Sequence, residues 1–164
     1  MTEQPSAVVS RFVETMGQLW ESEGLPRIAG RVFGFLTVQG EPCSLDDLAA
    51  ALGVSKASVS TDARRLESLG LLQRTHRPAD RRDYYAIAPD APARVLAIKL
   101  EQLQRFDSAL NDLRGIDELA PAVHARIAQF GRNHHRFVTT LRGLLAETRC
   151  DAISSSQAAT STTR

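Results

Sequence analysis

Residues 44–87 read SLDDLAAALGVSKASVSTDARRLESLGLLQRTHRPADRRDYYAI, and they carry helix, turn and strand signals without a gap. Ser44 is a good N-cap, and two aspartates follow it in the first turn, where the helix dipole favours negative charge. An apolar stripe then joins Leu45, Leu48, Ala49 and Leu52. Gly53 ends this helix, and Ser55 caps a second helix almost at once. Two helices joined by so few residues must cross steeply, which predicts a helix-turn-helix.

The second helix of this stretch has two unlike faces. Its inward face is apolar, with spacings of four and three: Val59, Ala63, Leu66 and Leu69. The other face, with its flanks near the N-terminus, holds hydroxyl and basic side chains: Ser55, Lys56, Ser58, Ser60, Thr61, Arg64, Arg65 and Ser68. Short hydroxyls allow close approach and arginine can fork onto guanine, so this is a candidate major-groove surface. The alternative is a solvated helix face, which charge alone favours.

A hairpin with a basic tip follows. Gly70 stops the helix, residues 71–76 have the composition of a strand, residues 77–83 are rich in turn formers, and residues 84–87 return as a second strand. Three arginines lie in the turn: Arg77, Arg81 and Arg82. Residues 53–85 hold seven Lys or Arg against four Asp or Glu, a net of +3 in a chain whose total is +1. Such a hairpin suits phosphate and minor-groove contact.

At these residues the chain resembles the MarR family of winged-helix transcriptional regulators. The matching motifs are Gly70-Leu71-Leu72 with Arg74, and Asp80-Arg81-Arg82. Residues 24–31, residues 55–60 and the pair Tyr84-Tyr85 look most like the GbsR-like branch. The resemblance implies that the second helix reads the major groove and that the wing arginines enter the minor groove, roles that would fall to Ser60, Thr61, Arg64, Arg65, Arg81 and Arg82. Ala88-Pro89 replaces the family's usual Leu-Thr after the second wing strand.

Helices are predicted on both sides of this region. One opens at Ser6, a second covers residues 27–38, and two long amphipathic helices follow Pro92, the first ending near Gly115 and the last beginning at Pro121. The last would be about 40 Å long, more than a small winged domain can cover. A second copy of the chain is therefore the expected partner.

The predicted fold class is mainly α. It comprises a winged helix-turn-helix domain with a small β-hairpin wing, plus N- and C-terminal helices that form a dimerisation region. The expected segments are an N-terminal dimerisation helix, the winged DNA-binding region, the C-terminal dimerisation helices and a disordered tail: residues 1–26, 27–88, 89–149 and 150–164.

Composition limits the class of protein. The chain has 164 residues, of which 43% are hydrophobic and 24% charged, as in one compact domain. Neither a secretory signal nor an apolar run of membrane length is found, so a cytoplasmic location without membrane contact is expected. The sequence shows no nucleophile with a partnered base, no Gly-rich phosphate loop and no useful carboxylate pair, so neither an enzyme nor a cofactor is expected.

The cysteines and histidines lack the spacing of a metal site. Cys43 and Cys150 are far apart, and both are expected to be thiols in a reducing compartment. A helix N-terminus lowers a thiol pKa, so a redox-sensing Cys43 is an alternative hypothesis. His124 and His135 share a helix face but lie about 16 Å apart along it. Packing and dimer contacts explain the histidines more simply than a metal does.

The function predicted from these patterns is sequence-specific DNA binding by a homodimer on a pseudo-palindromic operator, as a transcriptional regulator. A repressor is favoured, with an activator left open. By family resemblance, a small-molecule effector would bind between the dimer helices and the winged domain and change the spacing of the recognition helices. The alternative is a winged-helix module for protein–protein interaction without specific DNA binding. The arginines of the wing argue against that alternative.

Overall fold

A computed structural model describes residues 6–78, 80–116 and 118–161, and the side chains of the last helix as far as Glu147. The helices and strands follow in this order: α1 (Ala7–Ser22), α2 (Arg27–Gln39), β1 (Cys43–Ser44), α3 (Leu45–Leu52), α4 (Lys56–Ser68), β2 (Leu72–Thr75), β3 (Tyr84–Ile87), α5 (Ala91–Arg114) and α6 (Pro121–Ser161). They fall into two compact units that divide after Ala91. The mainly helical winged fold predicted from the sequence is confirmed.

The helix-turn-helix is α3 and α4. The Ser44 hydroxyl accepts a hydrogen bond from the Asp47 amide at 3.2 Å, and the Asp47 carboxylate accepts from the Ser44 amide, which completes a capping box. Gly53 ends α3 with a φ of 63°, a left-handed conformation that glycine adopts without strain. The Val54 amide then donates to the carbonyl of Ala49 at 3.1 Å. These local bonds set the short turn between the helices.

The wing belongs to a three-stranded antiparallel sheet in the order β1-β3-β2. The hairpin pairs Leu72 with Ile87 and Thr75 with Tyr84, and β1 adds itself to the other edge of β3, with Ser44 opposite Tyr84. The sequence predicted the hairpin but not β1, since two residues are too few to show the alternation of a strand. β1 fastens the wing to the start of α3.

The core of the first unit lies where α2, α3 and α4 meet the sheet. Its large and fully buried side chains are Val32, Leu48, Val59, Leu66 and Leu71. The inward face of α4 also carries Asp62, which is 6% exposed. Burial raises the pKa of the Asp62 carboxyl, and the nearby charge of Arg65 partly offsets this effect. The apolar periodicity of α4 did not reveal this buried carboxyl.

Helix α1 packs closely on α2 within the first unit. A Cβ atom added at Gly30 would meet the backbone of Met16 and Gly17 and the side chain of Trp20. Arg31 places Nε 2.6 Å from Glu14 of α1 and donates from Nη2 to the carbonyl of Leu52 at the end of α3, at 2.9 Å. Arg31 thus links α1 to the helix-turn-helix. The N-terminal helix therefore shares a compact unit with the winged region.

The second unit is a hairpin of α5 and α6, whose predicted limits at Gly115 and Pro121 are confirmed. A buried cluster joins the two helices: Ala93, Leu100, Val138 and Leu145. His134 contributes a ring nitrogen 2.6 Å from the carbonyl of Leu103, so this histidine packs inside the hairpin. Helix α6 continues through Ser161, whereas a disordered tail was expected from residue 150. Between Asp151 and Ser161 the chain has no glycine or proline to end the helix, and residues 162–164 lie outside the described residues.

Large apolar side chains remain exposed along this hairpin. On α6 they recur every seven residues: Val123, Phe130, Phe137 and Leu144. On α5, Phe106 and Leu113 are also seven residues apart and exposed. A spacing of seven keeps side chains on one side of a helix. Each helix therefore presents one apolar side to its surroundings.

Candidate nucleic-acid interface

Helix α4 and its cap carry the polar side chains predicted for the outer face, and some of them have structural roles. Ser55 is the N-cap, and its hydroxyl accepts from the Ser58 amide at 3.1 Å. Lys56 Nζ lies 2.9 Å from the Asp46 carboxylate of α3. These residues hold the start of α4 against α3. The Ser58 amide at the N-terminus of α4 therefore already has a hydrogen-bond acceptor within the protein.

The middle of α4 presents its arginines to solvent. Arg64 and Arg65 are exposed, and Arg64 Nε donates to the carbonyl of Ser60 at 3.1 Å. Within the described parts of the chain, no carboxylate forms an ion pair with either arginine. Thr61 is exposed and its hydroxyl donates to the carbonyl of Ala57, whereas Ser60 is half-buried. This exposed face can offer guanidinium groups to phosphates or to base edges.

The tip of the wing is held by a cluster of three side chains. Arg82 donates from Nε and Nη2 to the Asp80 carboxylate, with a shortest distance of 2.7 Å. The Tyr84 hydroxyl donates to Asp80 at 2.6 Å and accepts from Arg82 Nη2 at 2.8 Å. The Arg82 backbone amide also donates to Asp80, at 2.9 Å. The carboxylate therefore ties the turn to the buried ring of Tyr84 at the start of β3.

These bonds shift the titration of the cluster. The side chains of Arg82 and then Tyr84 donate hydrogen bonds that hold the pKa of the Asp80 carboxyl far below its usual range. The hydrogen bond from Tyr84 to Asp80 raises the pKa of the tyrosine hydroxyl. Asp80 therefore stays ionised, and its charge fixes Arg82 in place.

The three predicted wing arginines have different surroundings. Arg77 lies over the Tyr84 ring, with Cζ 4.4 Å from the ring centre, and donates to the carbonyl of Pro42 at 3.1 Å. Arg82 is bound to Asp80. Arg81 is exposed, and in the described ranges it has no hydrogen bond or ion pair with another side chain. Of the wing arginines, Arg81 is thus the one that the protein leaves available.

The sequence analysis identified the wing arginines but not the side chains and the carbonyl that bind two of them. Asp80 was placed in the turn and Tyr84 in the returning strand without an expected contact to Arg82, and the Pro42 carbonyl was not considered. An acidic residue two positions before an arginine, with tyrosine two positions later, was the signal available. What it could not show was that all three side chains point to the same side of the turn.

The cysteine and metal hypotheses find no support in the geometry. Cys43 is buried, and burial followed by the charge of Asp47 raises the pKa of its thiol, which opposes a reactive thiolate. The side chain of Cys150 lies outside the described residues. No group of three His, Cys, Asp or Glu side chains that could hold a metal occurs among the residues the structure describes. None of the helices, over the same residues, has the length and apolar character needed to cross a membrane.

Comparison with known proteins agrees with this geometry. Residues 23–83, which run from the end of α1 to the wing, match the model of the MarR family. The matched residues hold the helix-turn-helix and most of the wing, so this part of the chain is similar to a MarR-family domain. The HTH-type transcriptional regulator MmpR5 of Mycobacterium tuberculosis is 42% identical over 84 residues, which are 51% of this chain and 51% of that protein.

Two further relatives extend the comparison. The HTH-type transcriptional repressor OpcR of Bacillus subtilis is 22% identical over 129 residues, covering 72% of this chain and 70% of that protein. The crystal structure of a transcriptional regulator is 29% identical, covers 85% of this chain and 97% of that one, and superposes with a TM-score of 0.64. The chain spans about half the length of MmpR5, the curated relative with the higher identity. All three proteins are named as transcriptional regulators or repressors.

Proposed function

We propose that this chain is a transcriptional regulator that binds specific double-stranded DNA as a homodimer. The observation that carries the proposal is the pairing, in one domain that matches the MarR family model, of an exposed α4 face bearing Arg64 and Arg65 with a wing that leaves Arg81 available. Phosphate contacts would set the affinity, and side chains of α4 in the major groove would set the sequence.

The homodimer is supported by the exposed apolar sides of α5 and α6. Phe130 and Phe137 are 58% and 57% exposed, and Phe106 is 50% exposed. Several large aromatic side chains exposed on neighbouring helices are typical of a surface that is buried against a partner protein. A two-fold dimer would present two α4 helices about 34 Å apart, one turn of duplex, to the half-sites of a pseudo-palindrome.

Three finer features belong to the same proposal. Repression is favoured over activation by the similarity to a protein named as a repressor. The GbsR-like branch rests on residues 24–31 and 55–60 and on Tyr84-Tyr85. Control by a small-molecule effector rests on family resemblance, and such a regulator would work in the cytoplasm.

The test of the proposal is selection of bound sequences from random duplex DNA at about 150 mM salt, where nonspecific phosphate binding is suppressed. Recovery of an inverted repeat with half-sites about one turn apart is expected. Recovery of no preferred sequence, together with binding that does not depend on salt, would contradict DNA recognition and favour the protein-interaction module.

Single arginine variants separate the roles within the interface. Arg81→Ala should weaken binding to all sequences and flatten the log–log salt dependence by about 0.9 for each phosphate that the protein no longer neutralises. Arg64→Ala should instead relax preference at particular base pairs, by about 1 to 3 kcal/mol for a bidentate contact. Arg105→Ala is the matched control, because Arg105 pairs with Glu101 on α5. A salt slope unchanged in Arg81→Ala would remove the wing tip from the interface.

A further inference from the structure

The second unit contains a polar cleft that the proposed DNA binding does not use. It lies between α5 and α6 and has a volume of about 530 Å³, within the range of small-molecule sites. Its lining comes from the later part of α5 and the middle of α6: Asp107, Asn111, Arg114, Gly131, Arg132, His135 and Arg136.

The charge of this cleft is strongly one-sided. Three arginines and a histidine face one carboxylate, that of Asp107. Arg132 and Arg136 are four residues apart on one helix, a like-charge spacing that destabilises a helix, and no carboxylate in the described ranges pairs with either. From Pro121 to Ala146 the chain has four arginines and no acidic residue. Uncompensated positive charge in a concave site favours an anionic ligand.

Arg114 lines the cleft from the end of α5, and one side-chain hydrogen bond orients it. Its Nη1 donates to the Asn111 side-chain oxygen at 2.9 Å. Gly131 is buried opposite it on α6, and a Cβ atom at that position would collide with the Arg114 guanidinium. The absence of a side chain at Gly131 therefore allows a guanidinium to lie across α6. A guanidinium fixed at one edge offers its remaining N–H groups to a carboxylate or phosphate.

The cleft and the exposed apolar side of α6 point in different directions. Two residues along an α-helix turn the side chain through about 200°. Arg132 is two residues after Phe130, and His135 is two residues before Phe137, so both face away from the apolar side. Arg136, next to Phe137 in sequence, lines both the cleft and a second pocket with Phe137, so it lies at the border between the two sides.

We infer that this cleft is a binding site for a small polyanion carrying carboxylate or phosphate groups, with Arg114, Arg132 and Arg136 as its principal ligands. The charged groups fix the class of ligand, and the volume limits it to the size of a metabolite. His135 adds a ring N–H donor to the lining.

Isothermal titration of the full chain with citrate and with inorganic pyrophosphate, at constant ionic strength, tests this inference. At least one probe should saturate one site per chain. The tighter probe shows whether carboxylate or phosphate is preferred. Because no DNA is present, failure of this titration is independent of failure of DNA recognition. Lack of saturation by both probes up to about 10 mM, a range that covers weak millimolar binding, would overturn the inference.

Variants locate the binding within the cleft. Arg132→Gln and Arg136→Gln should each weaken binding about tenfold, the equivalent of one charge-assisted hydrogen bond. Gly131→Ala should weaken it as well, since the added methyl group displaces Arg114. Arg142→Gln is the control, with the same charge change on the same helix outside the lining. Equal losses in the control and in the cleft variants would show general charge attraction and overturn the site. Circular dichroism of each variant confirms that it is folded.

Discussion

Substitution of Gly30 by alanine tests the packing that joins α1 to the winged domain. The added Cβ would meet the carbonyl oxygen of Met16, and it would lie 2.9 Å from both the Cα of Gly17 and the Cβ of Trp20. Two of these obstacles are backbone atoms, which cannot rotate away as a side chain does. The helices must therefore separate, or α2 must bend.

The magnitude follows from two opposing effects. Overpacking of this kind costs up to about 3 kcal/mol when the neighbour cannot yield. Replacing glycine by alanine within a helix recovers about 1 kcal/mol of helix propensity. The free energy of unfolding should fall by about 2 kcal/mol, which corresponds to a melting temperature lower by about 4 to 8 °C for a chain of this size.

Urea denaturation followed by the fluorescence of Trp20, the single tryptophan, reports on this packing directly. Gly143→Ala is the matched control, because no atom lies within 4 Å of its added Cβ and the propensity gain is unopposed. Circular dichroism should show that the control is stabilised by up to about 1 kcal/mol. A Gly30→Ala protein as stable as the parent would refute the close α1–α2 contact.

Three other outcomes are expected. Ser44→Ala should lower the free energy of unfolding in urea by about 1 to 2 kcal/mol because the buried cap is removed, whereas Ser6→Ala, whose cap bond is exposed and 3.4 Å long, should cost only a few tenths. Asp62→Ala should raise stability at pH 7 by about 1 kcal/mol, and the difference should shrink as the pH falls towards the raised pKa of Asp62, because protonation removes the buried charge from the parent protein. The carboxyl of Asp80 has a lowered pKa, so the stability that its ionised form contributes is present above the ordinary carboxyl pKa and is lost only in stronger acid. Carbon-13 NMR should therefore show no titration of Asp80 between about pH 5 and 3, and Tyr84→Phe should move its pKa upward.

The sequence predicted most of the helices and their ends because the signals are local. The cap at Ser44, the left-handed Gly53 and the first turn of α6 at Pro121 depend on groups a few residues apart. The polar face of α4 follows from the period of the helix in the same way. Such features can be predicted from a short segment of sequence without the rest of the chain.

The end of α6 shows the limit of reasoning from composition. Ser, Thr and Ala with little to bury predicted a disordered tail, yet residues 151–161 contain no glycine or proline that would interrupt the helical backbone bonds. The structure accordingly carries α6 to Ser161. The composition of this segment showed that it can bury little apolar surface, but it did not determine the backbone conformation.

By itself, the sequence determined that this chain has a winged helix-turn-helix with a basic outer surface, because capping, periodicity and turn formation act within one or two turns of backbone. Only the tertiary structure decided which basic groups remain available. Arg82 is bound by Asp80, Arg77 by Pro42 and Tyr84, and Arg81 is exposed. The partners of Arg77 show the reason, since Pro42 is 35 residues away in sequence and meets it only when the sheet has formed. The charge of a side chain is local information, whereas its partner depends on how distant segments fold together.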